Sequence, residues 1–236
     1  MSQTAAAIHV ITQEDIRRSG LTSIPERLRR VPGLHVARID SNKWAISARG
    51  FNGRFANKML ALIDGRSVYT PLFSGVFWDV QDVMLEDVER IEVIRGRGPT
   101  WSTEWSTITK RAEDTQGGLV AGGFGNEEQG FGGVRYGGKI GANAHYRVYE
   151  KHFSRSESVD SMGNPGILGY QPRRYPSRLE PVASGFSHCP ARHLRGRMNQ
   201  TTQPHVFFPP YTQEVTSQTP VSSGNVLSRW NHFMST

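Results

Sequence analysis

Five residues in two loops have the types that could do recognition chemistry: Arg54 and Phe55 in 52–58, and Phe73, Phe77 and Trp78 in 70–78. A loop with three large aromatics is costly to leave in water, so these rings must meet something. A guanidinium beside aromatic faces grips planar anions, aromatic metal complexes among them. The competing reading is that the rings pack on one another or on an enclosing wall. Bond-making chemistry has no foothold. There is one cysteine, Cys189, no HExxH and no serine in a nucleophile elbow. Gly122–Gly125 (GGFG) reads as a turn rather than a phosphate cradle, because no GK[ST] follows and no helix opens there. A lone cysteine excludes an intrachain disulfide framework and any multi-cysteine metal site. His188 and His193 flank it in a poor zinc arrangement, so neither metal nor cofactor is expected.

The elements that must position the loops read as a small α+β unit. AIHVIT at 7–12 is a strand, 13–19 is one or two helical turns closed by Gly20, and SIPE at 23–26 resembles a capping box. A helix over 25–31 follows, with Ile24, Leu28 and Val31 on one face, and Pro32-Gly33 stops it. Segments 34–40 and 43–48 alternate as strands. MLALI at 59–63 is an apolar strand turned by Asp64-Gly65, with 66–69 returning beside it. A helical turn at 83–88 leads to a last strand, RIEVI at 90–94. Gly50, Gly65 and Gly96 sit at chain reversals, where glycine takes positive φ without penalty.

Composition narrows the class. Of 236 residues only 36% are hydrophobic, thin for one compact globule of this length. The formal charge of +7 would draw nucleic acid, but the excess is local. Arg27, Arg29 and Arg30 form one cluster, read as a solvated helix face, and 173–197 holds another. No nucleic-acid partner is expected. No apolar run approaches the roughly 20 residues of a membrane-spanning helix, and no signal peptide is visible before Ala5. Beyond Thr115 the segments 117–124, 129–140 and 144–153 are glycine-rich, alternating and joined by turns, the pattern of an outer-membrane barrel wall or of a soluble β-meander.

Three ordered motifs are more specific: AISARGF at 45–51, LIDGR at 62–66 and LEDVERIEVIRG at 85–96. Together they resemble the plug of TonB-dependent outer-membrane receptors, closely over 5–95 and again over 108–165. The resemblance implies a mixed-sheet plug with short helices, followed by antiparallel strands of an incomplete outer-membrane β-barrel. It implies that Arg49 and Arg95, with Glu92 adjacent, latch the plug onto acidic side chains of the wall. It places the two aromatic loops on the outward side, where a siderophore–iron chelate or a vitamin-sized molecule would bind. Partners follow from it too: the TonB energy-transducing complex, the remainder of the barrel and outer-membrane lipid.

The chain departs from the family at 97–106 and at 166–194, where Arg/Pro/Ser/His-rich text without periodicity is what a frameshift would leave; a variable extracellular loop is the other reading of the second stretch. The organisation read from these features is a plug at 1–112, first barrel strands at 113–165, an irregular segment at 166–197 and a barrel-like fragment at 198–236. A receptor of this class needs about 22 strands, so the chain reads as a fragment that would not transport alone. The rival function is a soluble β-rich binding module with no transport role.

Overall fold

The computed structural model describes residues 7–39, 43–48, 50–56, 59–95, 103–126, 128–140 and 144–156, then the strand segments 170–171, 186–188, 191–202, 215–226 and 229–230. It divides into two compact units, Met1–Arg111 and Ala112–Thr236.

The strands of the first unit are β1 (Ala7–Thr12), β2 (Leu34–Arg38), β3 (Trp44–Ala48), β4 (Met59–Ile63), β5 (Arg66–Ser67), β6 (Val88–Arg95) and β7 (Thr103–Thr109), with helices α1 (Gln13–Arg18) and α2 (Ile24–Leu28). Five strands make a sheet in the order β1-β6-β7-β4-β5, while β2 and β3 form a separate hairpin. The larger sheet is mixed. β4 runs parallel to β7, and every other pairing is antiparallel. Its core face carries Ile91, Val93, Trp105, Thr107, Ala61 and Ile63, all nearly or fully buried, against Leu28, Val31 and Ile46 of the other elements. Each such aliphatic side chain contributes roughly 1.5–3 kcal/mol by leaving water.

Four sequence expectations are corrected. RIEVI is not the last strand of the unit, because β7 inserts between β6 and β4. Residues 103–106, set apart above as out of character, alternate buried and half-buried along β7 and so satisfy the period-two rule of a strand. The capping box is not at α2. Ser23 makes no side-chain cap bond: Pro25 at the second helical position has no N–H to offer, and the Glu26 amide is not bonded by the Ser23 hydroxyl. The box sits at α1 instead, where Thr12 Oγ1 accepts from the Asp15 amide at 3.3 Å and Asp15 Oδ2 accepts from the Thr12 amide at 3.0 Å. The Thr12 hydrogen bonds hold the Asp15 carboxyl below its ordinary pKa. Finally, Arg27 is not on a solvated face. It is 4% exposed, whereas Arg29 and Arg30 are exposed.

In the second unit β8 (Gly117–Gly123), β9 (Glu128–Ile140) and β10 (Ala144–Arg155) form an antiparallel meander. Beyond them lie β11 (Tyr170–Gln171), β12 (Phe186–His188), β13 (Ala191–Thr202), β14 (Val215–Val226) and β15 (Arg229–Trp230). β13 runs through the boundary read at 197 and pairs with β14 over its full length. The six-stranded sheet, ordered β14-β13-β11-β10-β9-β8, is open among the described residues.

The faces of the meander differ sharply in chemistry. Registry places Val120, Val134 and Glu150 side by side, and Gly118, Tyr136 and Val148 likewise. That face, with Ile140 and with Phe124 just past β8, leaves its apolar side chains open, Val120 at 81% and Phe124 at 92% exposure. Glu150 and His152 interrupt it. The opposite face carries Arg135, Lys139, Arg147, Lys151 and Arg155 among Phe131, Tyr149 and Phe153. Apolar on one side and charged on the other is the dyad of a barrel wall with lipid outside and water within. On the charged side Arg155 pairs with Glu128 at 2.9 Å and lies 4.7 Å from the centre of the Phe153 ring. No helix among the described residues is long and apolar enough to cross a membrane.

Candidate functional site

The two loops meet at the end of the larger sheet where β4 begins. Residues 50–56 lead toward Met59, while β5 doubles back on β4 and returns the chain to the same place. The Asp64-Gly65 turn that allows this has φ of +53° and +79°. Asp64 Oδ1 accepts the Thr109 amide at 2.8 Å and so ties the turn to the end of β7. Arg66 donates from Nη2 to Gln81 Oε1 at 3.1 Å and from Nη1 to the Ser67 carbonyl at 3.3 Å, bridging both ends of the second loop. Burial lowers its pKa, against the Asp64 charge that raises it. Tyr69 donates its hydroxyl to the Met59 carbonyl, and burial raises that phenol to about 12, so it keeps its proton at every physiological pH. Within the loop, Thr70 N–H bonds the Gly75 carbonyl at 2.9 Å and Ser74 N–H the Thr70 carbonyl at 3.0 Å, a compact turn.

Rings from both loops come together there. Phe55 and Phe73 have centroids 5.0 Å apart, Phe55 and Phe77 5.2 Å, and Phe73 and Phe77 5.6 Å. All three contacts are edge-to-face, the arrangement that ring quadrupoles favour. The Arg54 guanidinium lies 4.8 Å from the Phe55 centroid and 5.9 Å from that of Phe77. Gly75 is buried beneath: a Cβ there would lie 2.8 Å from Phe73 Cδ2 and 3.0 Å from Phe55 Cδ1. Only glycine lets the rings close. Phe55 and Phe73 nevertheless keep 38% and 46% of their surface open. Phe51 and Leu72, on the same loops, are more exposed still and were not singled out from sequence. Their signal was present, since each is an apolar residue beside a turn former, Gly50 and Pro71.

Trp78 is not part of this cluster. It is 8% exposed and stacks on Trp105 at 5.0 Å with an interplanar angle of 29°. The helical turn Trp78–Val80 rotates the indole into the core, so Arg54, Phe55, Phe73 and Phe77 stand together and Trp78 stands apart.

The residues assigned to the latch separate as well. Arg95 and Glu92 occupy opposite faces of β6, as their odd spacing requires. Glu92 accepts from Arg90 Nε at 2.6 Å, a bond that raises the Arg90 pKa. Arg95 is on the core side, next in register to Thr103, and its buried Nε has no partner among the described residues. Its guanidinium crosses Gly33, where a Cβ would lie 2.5 Å from Nη1. Gly33 has φ of +80° and Gly50 of +87°. Arg49 and Gly96 lie outside the described residues; Ala48, beside Arg49, pairs with Leu34, the neighbour of Gly33. Gly33→Val should therefore displace Arg95 and lower stability by about 2 kcal/mol or more, a β-branched residue being forced into positive φ. Thermal unfolding reads this, and an unchanged midpoint would remove Arg95 from that position. Among the described residues no three His, Cys, Asp or Glu side chains gather into a metal site.

A small mixed sheet with short helices, followed by antiparallel strands with one apolar and one charged face, defines a plug with the beginning of a barrel wall. Residues 1–101 match the TonB-dependent Receptor Plug Domain family, and the first unit is a plug domain of a TonB-dependent receptor. The vitamin B12 transporter BtuB of Vibrio cholerae is 28% identical over 131 residues, covering 53% of this chain and 21% of its own. Among solved structures, the FrpB iron transporter of Neisseria meningitidis (F5-1 variant) has a TM-score of 0.61 at 14% identity, covering 94% of this chain and 36% of its own. The ferric yersiniabactin uptake receptor FyuA of Yersinia pestis has a TM-score of 0.58 at 16% identity, covering 84% and 33%. At such identities the structures speak for the fold alone. The chain spans about a fifth of the length of the curated relatives it matches, 21% in the case above. These relatives are transporters and receptors.

Proposed function

We propose that this chain is the ligand-receiving plug and first wall strands of an outer-membrane importer. Its ligand is an anionic, aromatic metal chelate of the siderophore–iron class, seated on Arg54, Phe55, Phe73 and Phe77. In this reading the remainder of a barrel surrounds the plug, Arg49 meets acidic groups on that wall while Arg95 braces the plug from within, and TonB supplies the energy for opening. The single observation that supports it most is the arginine-capped triangle of rings, built from two loops at one end of a plug-domain sheet. Open aromatic edges with a cation above them suit a planar anion better than a neutral polyol. The bare apolar face of β8–β10 favours a lipid-facing wall over a soluble module.

The test is a binding panel on the full chain in detergent micelles: a ferric catecholate, a ferric hydroxamate and cyanocobalamin, followed by quenching of tryptophan fluorescence. Saturable binding of the catecholate, tighter than that of the other two, is expected. Preference for cyanocobalamin would keep the importer and change the ligand. Binding of none of the three would sink the assignment of the loops.

A further inference from the structure

Arg27 stands where an apolar residue belongs. Ile24, Arg27, Leu28 and Val31 follow the i, i+3, i+4, i+7 spacing of a helix stripe that faces a core. Ile24, Leu28 and Val31 are 3%, 0% and 2% exposed, and Arg27 is buried with them. Its Nε and Nη1 are enclosed without a hydrogen bond among the described residues. Glu26 and Glu86 act on it only through their fields, against Arg30, and burial lowers its pKa to about 10. The guanidinium therefore stays charged at neutral pH, with two of its three nitrogens enclosed and without a hydrogen-bond partner among the described residues. A buried charge left unpaired is among the most destabilising groups a fold can hold, and an apolar side chain of similar volume is usually better tolerated.

The surroundings of Arg27 are also weakly tied. The Ser23 hydroxyl at the start of α2 and the Ser47 hydroxyl on β3 are buried without partners among the described residues. The β2–β3 hairpin shares no ladder bond with the five-stranded sheet. Side-chain packing holds it there, with Arg95 across Gly33 as one of the contacts.

We propose that Arg27 is a built-in weak point, which lets α2 and the β2–β3 hairpin (24–48) open ahead of the five-stranded sheet. On release the guanidinium regains water, Ser23 and Ser47 regain hydrogen bonds, and Gly33 withdraws from Arg95. The device needs no ligand and stands whether or not the loops bind a chelate.

Hydrogen exchange on the full chain in detergent micelles tests it, comparing wild type with Arg27→Leu and Arg27→Met. In wild type, amides of 24–31 and 34–38 should exchange at least about tenfold faster than those of 88–95 and 103–109. Both variants should slow exchange over 24–31 by about tenfold or more and leave 88–95 unchanged. Wild-type exchange that is uniform across the unit overturns the proposal. So does a variant that exchanges as fast as wild type or faster, or that fails to fold, because each means that the arginine has a stabilising partner.

Discussion

Replacing Trp105 with alanine should cost the first unit about 3–5 kcal/mol, the range for truncating a buried aromatic. Domains of this kind hold about 5–15 kcal/mol in all, so most of the stability would go. Trp105 is 1% exposed, at the centre of β7. Its partner across β6 is Val93 and across β4 Ala61, both fully buried. The small residue leaves the volume that the large one fills. The indole also stacks on Trp78 and donates from Nε1 to Thr107 Oγ1 at 3.1 Å, inside a core where an abandoned hydroxyl would be costly. Urea unfolding of the full chain measures the difference. A loss below about 1 kcal/mol would show that 103–109 does not fill the centre of the sheet, and β7 would have to be redrawn.

Ligand affinity should respond to a different pair. Arg54→Ala combined with Phe73→Ala removes the cation and the most open ring of the cluster. We expect a loss of roughly 3 kcal/mol in catecholate binding, on the order of a hundredfold in Kd. Because both side chains sit at a loop surface, unfolding stability should move by less than about 1 kcal/mol. The two positions are neighbours through Phe55 and Phe77, so the single changes will not sum to the double. Trp78→Ala offers the contrast, since it should lower stability first and affinity only as a consequence. Equal affinity in the double variant and wild type would move the ligand away from these loops, however well the fold is preserved.

Much of this architecture could be read from residue order. MLALI, the Asp64-Gly65 reversal and the alternation of RIEVI at 90–94 point to their strands because period and turn chemistry agree there. The loops were legible as well: a cation and four rings placed beside turn formers narrow the candidates to a few residues. Trp78 is set apart only by the structure, because aromatic content does not show which way a short helical turn rotates each ring. Glu92 could have been parted from Arg95 by counting, an odd separation on a strand being a change of face. TEWSTIT alternates as a strand does, but its departure from the family pattern hides β7 from any reading by motif. Arg27 is the most instructive case. Charge argued for the surface while position argued for the core, and the helix stripe decided.

The stacked indoles have one more consequence. Two indoles with ring centroids 5.0 Å apart and planes inclined by 29° are close enough for their transitions to couple, so circular dichroism responds to how the two rings are set against each other. Trp78 adjoins Phe77 of the ring cluster, and Trp105 lies in the middle of the sheet. The chain thus holds an intrinsic optical gauge that spans loop and core and needs no label.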